Sequence, residues 1–266
     1  MYSFEYVKAA SLKQAAELLA AHPDARPISG GMTLIPTLKA RLAQPTHLVD
    51  IGGLAELRGI DRKGDTLVIG AATRHAEVCV SELVRKALPA LAYLAERIGD
   101  PQVRNLGTIG GSIANNDPAA DYPAAVLALK ATIVTNTREI DADDFFQGMF
   151  ATALEPAELV TRLVFPLPKR AAYEKFPHPA SGYAMAGVFV AETASGVRVA
   201  VTGAGAGVFR WAEAEAALAR KMSREALDAL TVASDDLNED MHGSREYRAQ
   251  LVKVMAQRAV AKLTGS

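Results

Sequence analysis

The chain has 266 residues, half of them apolar, and a formal net charge of −1. That length can bury one large core or two modest ones, and two domains are the expectation. The near-neutral balance without a Lys/Arg run speaks against nucleic acid, and the longest apolar stretches, such as 185–191, are far too short to span a membrane.

The opening residues show no charged segment followed by an apolar one, so no signal peptide is expected and a cytoplasmic protein is the default. Cys79 is the sole cysteine, which excludes an internal disulfide and a four-thiolate iron–sulfur or zinc site. The histidines His22, His47, His75, His178 and His242 are scattered, with no pair at helical ligand spacing, and no metal site is expected. Redox chemistry in this chain would need an organic cofactor.

Along the chain, Ser11 caps an amphipathic helix whose inner face is Leu12, Ala15, Ala16 and Leu19, and Pro23-Asp24 ends it. A short strand at 26–28, a glycine turn and a helix over 33–43 with Pro36 in its first turn follow. Strands are expected at 46–50 and 66–69, helices at 76–87 and 89–99, a glycine-rich loop at 107–112, a helix at 118–129 and a strand at 132–134. The stretch 164–170, with Pro166 and Pro168 before Lys169-Arg170, reads as a connector between domains 1–168 and 169–266. Beyond it come strands at 173–176, 185–192 and 197–202, a turn at 203–207, a short strand at 208–211, and helices closing with a long one over 244–263. Strands followed by helices predict an α+β arrangement, a small antiparallel sheet covered on one face.

Two segments carry the chemistry. In Ser29-Gly30-Gly31-Met32-Thr33-Leu34-Ile35-Pro36, two glycines permit positive φ and close backbone approach, and successive N–H groups before a helix can hold an anion. Thr33 can cap that helix and offer its hydroxyl to a phosphate. An ordinary turn between a strand and a helix would look the same. In Asn105 to Asp121 lie three glycines, the hydroxyls of Thr108 and Ser112, and the amides of Asn115 and Asn116. Asp117-Pro118 fits an N-cap and first helical residue, which gives Asp117 a structural role first. Asp121, one turn further, would repel phosphate. It either contacts hydroxyl or amine groups of a ligand or is a solvated helix carboxylate. Two glycine turns about eighty residues apart fit two loops on one pyrophosphate. No Gly-Lys-Ser/Thr occurs, and no dinucleotide fingerprint stands between a strand and a helix in the first domain, so neither a P-loop nor a classical NAD fold is expected.

These motifs, Ser29-Gly30-Gly31-Met32-Thr33 and Thr108-Ile109-Gly110-Gly111-Ser112 with Asp117-Pro118-Ala119-Ala120-Asp121, closely resemble the two FAD loops of the medium subunit of aerobic carbon monoxide dehydrogenase and of the flavin domains of xanthine dehydrogenase. The likeness runs on through Asp143-Asp144-Phe145-Phe146, Glu155-Pro156-x-Glu158-Leu159, Lys175-Phe176 and Tyr183-Ala184, over essentially the whole chain. Each motif is weak alone; their order and spacing together are specific. The resemblance implies a two-part FAD-binding domain of the PCMH (vanillyl-alcohol oxidase-like) type and a small C-terminal domain of antiparallel strands and helices. It implies that residues 29–33 and 108–112 wrap the FAD diphosphate and ribityl chain, that Asp121 makes a polar contact, and that Lys175 and Tyr183 approach the flavin. A cation there would stabilise the anionic reduced flavin. Relatives often have His where this chain has Met32, which points to non-covalent FAD, with His75 the remaining candidate attachment point.

In such complexes a large subunit holds the molybdenum cofactor and a small one two [2Fe-2S] clusters. The resemblance therefore implies an oxidoreductase subunit that passes electrons from the iron–sulfur partner through FAD to an external acceptor. No residue need act on the organic substrate as acid or base. The rival readings are a stand-alone FAD oxidoreductase, which would need its own substrate pocket, and a flavin-free assembly subunit, against which the intact glycines of both loops argue.

Overall fold

The computed structural model describes residues 1–265. The chain opens with a parallel three-stranded sheet in the order β1-β3-β2, made of β1 (Glu5–Lys8), β2 (Arg26–Ile28) and β3 (His47–Asp50). Parallel neighbours need crossovers, which α1 (Leu12–Ala21) and α2 (Leu34–Lys39) supply. Ser11 caps α1, accepting from Gln14 N at 3.1 Å, and the helix buries Ala15 and Leu19. β1 escapes a sequence reading because three of its four residues are exposed and its pattern has no alternation.

A five-stranded antiparallel sheet follows, ordered β4-β5-β10-β6-β7. It is built from β4 (Ile60–Lys63), β5 (Thr66–Gly70), β6 (Thr132–Thr135), β7 (Glu139–Asp141) and β10 (Val160–Pro166). The helices α3 (His75–Val80), α4 (Glu82–Ala87), α5 (Pro89–Glu96), α6 (Pro101–Leu106), α7 (Ile109–Asn115) and α8 (Tyr122–Ala128) lie between β5 and β6, and α9 (Ala142–Phe145) with the hairpin β8 (Phe146–Gly148) and β9 (Ala151–Thr152) between β7 and β10. Leu67, Ile69, Ile133, Leu163 and Phe165 are all fully buried in one core with Leu91, Leu94, Ile109 and Val126.

Several expected boundaries move. The helix expected at 76–87 is two, because Ser81 ends α3 in an extended conformation and its side chain caps α4 at Val84 N. The helix at 33–43 stops at Lys39, with Arg41 at positive φ. Gly110 and Gly111 lie inside α7 and not in a loop, and α6, capped by Asp100 ahead of Pro101, was not foreseen. The helix expected from Pro118 begins at Tyr122: Asp117 folds its carboxylate onto Ala119 N, a local turn that precedes the helix and does not cap it. Residues 164–166, expected in a connector, end β10, the central strand; Pro166 is tolerated at its last position.

The C-terminal part is an antiparallel sheet β11-β12-β13-β14: β11 (Arg170–Pro177), β12 (Ala184–Thr193), β13 (Gly196–Thr202) and β14 (Phe209–Arg210). Its own helices α10 (Ala212–Arg220) and α11 (Arg245–Thr264) cover one face. The sheet was expected to be covered on one face only; it is covered on both, because α5 and α8 pack on the other. Alternation along β12 shows this directly: Val188 and Val190 enter the core with Trp211 and Val252, while Phe189 and Ala191 enter the core with Leu91 and Val126.

Two outcomes follow from this packing. Phe165→Ala, at a fully buried site in the central strand, is expected to cost about 3–5 kcal/mol in urea unfolding. Glu158 is buried beside the β6–β7 turn and accepts from Arg138 Nε at 3.0 Å, Thr135 Oγ1 at 2.7 Å, Thr137 Oγ1 at 2.9 Å and Glu155 N at 2.8 Å. The Arg138 guanidinium foremost holds its carboxyl at about 2, below an ordinary 4.5. The unfolded chain binds that proton more readily, so the contribution is complete above pH 4.5 and fades as pH falls towards 2. Urea midpoints at about pH 5 and about pH 3 should differ less in Glu158→Gln than in the parent chain.

Candidate functional site

Where the first sheet, the helices after β5 and the start of the C-terminal sheet meet, they enclose a cavity of about 590 Å³, within the range of cofactor sites. Its first wall is the turn between β2 and α2. Gly31 takes φ +69°, open to glycine and strained for other residues. Gly30 has another reason to be glycine: a Cβ there would stand 2.2 Å from the Leu106 carbonyl oxygen, so the turn lies flat on the end of α6. Among the described residues, the backbone N–H groups of Gly30, Gly31, Met32, Thr33 and Leu34 donate to no protein acceptor. Ser29, Gly30, Gly31, Met32 and Thr33 all line the cavity. A row of unpaired donors in a turn is a ready anion seat.

The second wall is α7, and it works differently. Thr108 caps the helix, accepting from Gly111 N at 3.2 Å, while Ile109 N donates to Thr73 O and Gly110 N to Ala71 O. These donors are therefore spent on the protein. Gly110 is a packing glycine, since a Cβ there would lie 2.4 Å from the Ala71 Cβ. Gly111 is exposed, and a Cβ there would meet only Thr108 Oγ1 within 4 Å. It offers the cavity a bare helix surface beside the Ser112 hydroxyl and the Asn115 amide. Thr108 Oγ1 also donates to Ser29 Oγ at 3.3 Å, tying the two walls together. Thr108, Gly110, Gly111 and Ser112 line the cavity; Ile109 is fully buried and does not.

The third side comes from the C-terminal sheet. Thr202 Oγ1 donates to Pro118 O and Ala120 O, and Gly203 N donates to Pro118 O at 2.8 Å. Gly203 sits at φ +82° with Ala184 O 2.3 Å from where a Cβ would be, so β12, β13 and the 118–120 turn close together only around glycine. That turn delivers Asp121 to the cavity wall. Asp121 is buried, not the exposed helix carboxylate that was one sequence reading, and accepts on Oδ1 from Tyr173 Oη at 2.6 Å and Lys175 Nζ at 2.8 Å. Burial pushes its carboxyl up from the ordinary value, with Lys175 the main opposing influence.

Lys175 itself does not line the cavity. It stands behind Asp121, with its ammonium also donating to Arg97 O at 2.7 Å and Gly182 O at 2.9 Å. Tyr183, on the β11–β12 connection, does line the cavity and is partly exposed. Desolvation lifts its phenol above the usual range. Thr33 makes no side-chain cap to α2, contrary to expectation.

Two further lining residues are His75, named only as a candidate attachment point, and Glu158, named only within a family motif. His75 is buried, and desolvation lowers it to about 4, so it is neutral at physiological pH; its Nδ1 has no partner among the described residues. Glu158, with its four donors, borders the other end of the cavity. Tyr173, whose hydroxyl needs the space that Gly187 leaves, was legible only as a strand residue.

The glycine geometry predicts a contrast in stability. Gly30→Ala is expected to lose about 1–3 kcal/mol in urea unfolding, through its clash with backbone. Gly111→Ala is expected to change stability by less than about 1 kcal/mol, because its Cβ meets one hydroxyl and helix propensity favours alanine.

Comparison with known proteins bears on this cavity. Residues 2–168 match the family described as the FAD binding domain in molybdopterin dehydrogenase, and residues 171–263 the CO dehydrogenase flavoprotein C-terminal domain. The chain is 36% identical to the glyceraldehyde dehydrogenase medium chain of Sulfolobus acidocaldarius, covering 96% of each protein. It is 36% identical to the carbon monoxide dehydrogenase medium chain of Afipia carboxidovorans, covering 98% of this chain and 96% of that one. Among solved structures, a chain of reconstituted CO dehydrogenase from Oligotropha carboxidovorans matches with a TM-score of 0.94 at 36% identity, over 99% of this chain and 98% of that chain. The free N–H row can seat an anion, and the bare helix surface at Gly111 leaves the cavity open beside it. The chain belongs to the FAD-binding medium subunits of the molybdenum hydroxylases: it is an oxidoreductase subunit, and FAD is its cofactor.

Proposed function

We propose that this chain passes electrons from an iron–sulfur subunit through non-covalently bound FAD to an external acceptor, in a complex whose large subunit holds the molybdenum cofactor. The observation that carries this reading is the cavity between the Gly30–Leu34 donors and the open Gly111 surface. FAD when bound supplies the redox step; the protein supplies position and potential.

The residues have distinct parts to play. The N–H groups of Gly30 to Leu34 hold the diphosphate, and the start of α2 adds its favourable end. Ser112 and Asn115 offer a hydroxyl and an amide along the chain between diphosphate and ring. Tyr183 closes the cavity at the β11–β12 connection. Met32 stands where relatives often carry a histidine, and His75 is buried, which supports a cofactor held by contacts alone. Cys79, the single thiol, is buried in a helix, so the metal centres belong on partner chains.

An absorption spectrum before and after acid denaturation tests the cofactor: flavin bands that leave with the supernatant as FAD are expected. Gly111→Val should lose those bands while melting close to the flavin-free parent chain, because its Cβ fills the open surface and meets one hydroxyl and no backbone of another element. A variant that keeps its FAD overturns the two-wall arrangement. The electron route is tested by co-expression with the two partner subunits and by the rate at which their substrate bleaches the flavin; no bleaching overturns it.

A further inference from the structure

Among the described residues, Asp121–Lys175 is the most enclosed ion pair, with side chains 4% and 1% exposed. All three ammonium donors are committed: to Asp121 Oδ1, to the carbonyl of Arg97 just after α5, and to the carbonyl of Gly182. Gly182 belongs to a compact loop, in which its N–H donates to His178 O and His178 N donates to Tyr183 O. Lys175 therefore bonds at once to the helix layer, the wall carboxylate and the loop that carries Tyr183. Both donors to Asp121 converge on Oδ1, and Asp121 lines the cavity, which leaves Oδ2 for the cavity side.

Resting on the FAD reading, we propose that Lys175 is a positioning residue: it fixes the 178–183 loop against the cavity and compensates Asp121 from behind, so that the cofactor faces a neutral pair and not a free cation. The groups that face Asp121 are Lys175 and Tyr173 on β11 and, further off, Arg97. Desolvation dominates its environment even with the ammonium present. Removing Lys175 thus makes the neutral carboxyl favourable, and the pair's net charge stays near zero. Removing the charge of Asp121 leaves the ammonium without its counter-ion, and net positive charge near the cavity favours the reduced cofactor.

The test compares Lys175→Met and Asp121→Asn with the parent chain. Potentiometry of the flavin-loaded proteins should show a raised midpoint in Asp121→Asn, and in Lys175→Met a shift smaller than about a third of that rise. In flavin-free protein, hydrogen exchange at Gly182 and its loop neighbours should quicken roughly tenfold or more in Lys175→Met. A fall in potential in Lys175→Met as large as the rise in Asp121→Asn overturns the neutral pair, and unchanged exchange overturns the positioning role. Lys175→Gln, which keeps donors for the two carbonyls, is the second variant should Lys175→Met not fold, and the same potential criterion applies. A parent chain that binds no FAD would defeat the cofactor reading, while the exchange measurement would still decide the loop's dependence on Lys175.

Discussion

The site depends on one piece of backbone, residues 117–121, being held by the far end of the chain. Left alone, Asp117-Pro118 would start a helix. In the folded protein the carbonyls of Pro118 and Ala120 are taken by Thr202, and those of Pro118 and Ala119 by the N–H groups of Gly203 and Ala184. These bonds delay α8 until Tyr122 and turn the Asp121 carboxylate inward to Tyr173 and Lys175. A lone buried carboxylate would be intolerable. With an ammonium and a phenol on one oxygen it is held, and removing one partner of such a pair typically costs about 3–5 kcal/mol. The cavity is therefore a joint product of both parts of the chain.

That dependence explains the division among the glycines. Gly30, Gly110 and Gly203 are needed where backbones of separate elements meet, and each would place a Cβ within 2.4 Å of a neighbour. Gly111 meets no backbone of another element and faces the cavity instead. Sequence shows Gly30-Gly31 and Gly110-Gly111 as like pairs, but only geometry tells packing from access. The two walls differ in the same way: the turn before α2 keeps its N–H groups free, whereas the first turn of α7 spends its own on Thr73, Ala71 and Thr108.

Much of the fold was legible for identifiable reasons. α1 announces itself by its serine cap and helical periodicity, and β12 by its apolar run. Two of the missed elements had no clear local signal. β1 is an exposed strand stabilised by pairing to β3, 42 positions on, and β10 ends in Pro166, one of the two prolines that suggested a connector. The loops that line the cavity were visible in their glycines and hydroxyls. The Asp121–Tyr173–Lys175 cluster was not, because its members lie 52 and 54 positions apart and meet only when β11 packs beside α8's start. The family resemblance named Asp121 and Lys175, but it could not say which of them stands nearer the cavity.

The same cluster bears on what kind of chemistry the site suits. A pocket that processes its own organic substrate needs a group free to take or give a proton at the reacting atom. Here Lys175 has every donor committed, Tyr173 is spent on Asp121, and desolvation keeps His75 a weak base at about 4. Asp121, Tyr173 and Lys175 hold one another in place, a fixed arrangement that suits the seat of a bound cofactor better than a site that moves protons on a substrate. Rigidity, achieved by tying the Tyr183 loop, α5 and the Asp121 turn to a single ammonium, is then the property that the fold supplies to function.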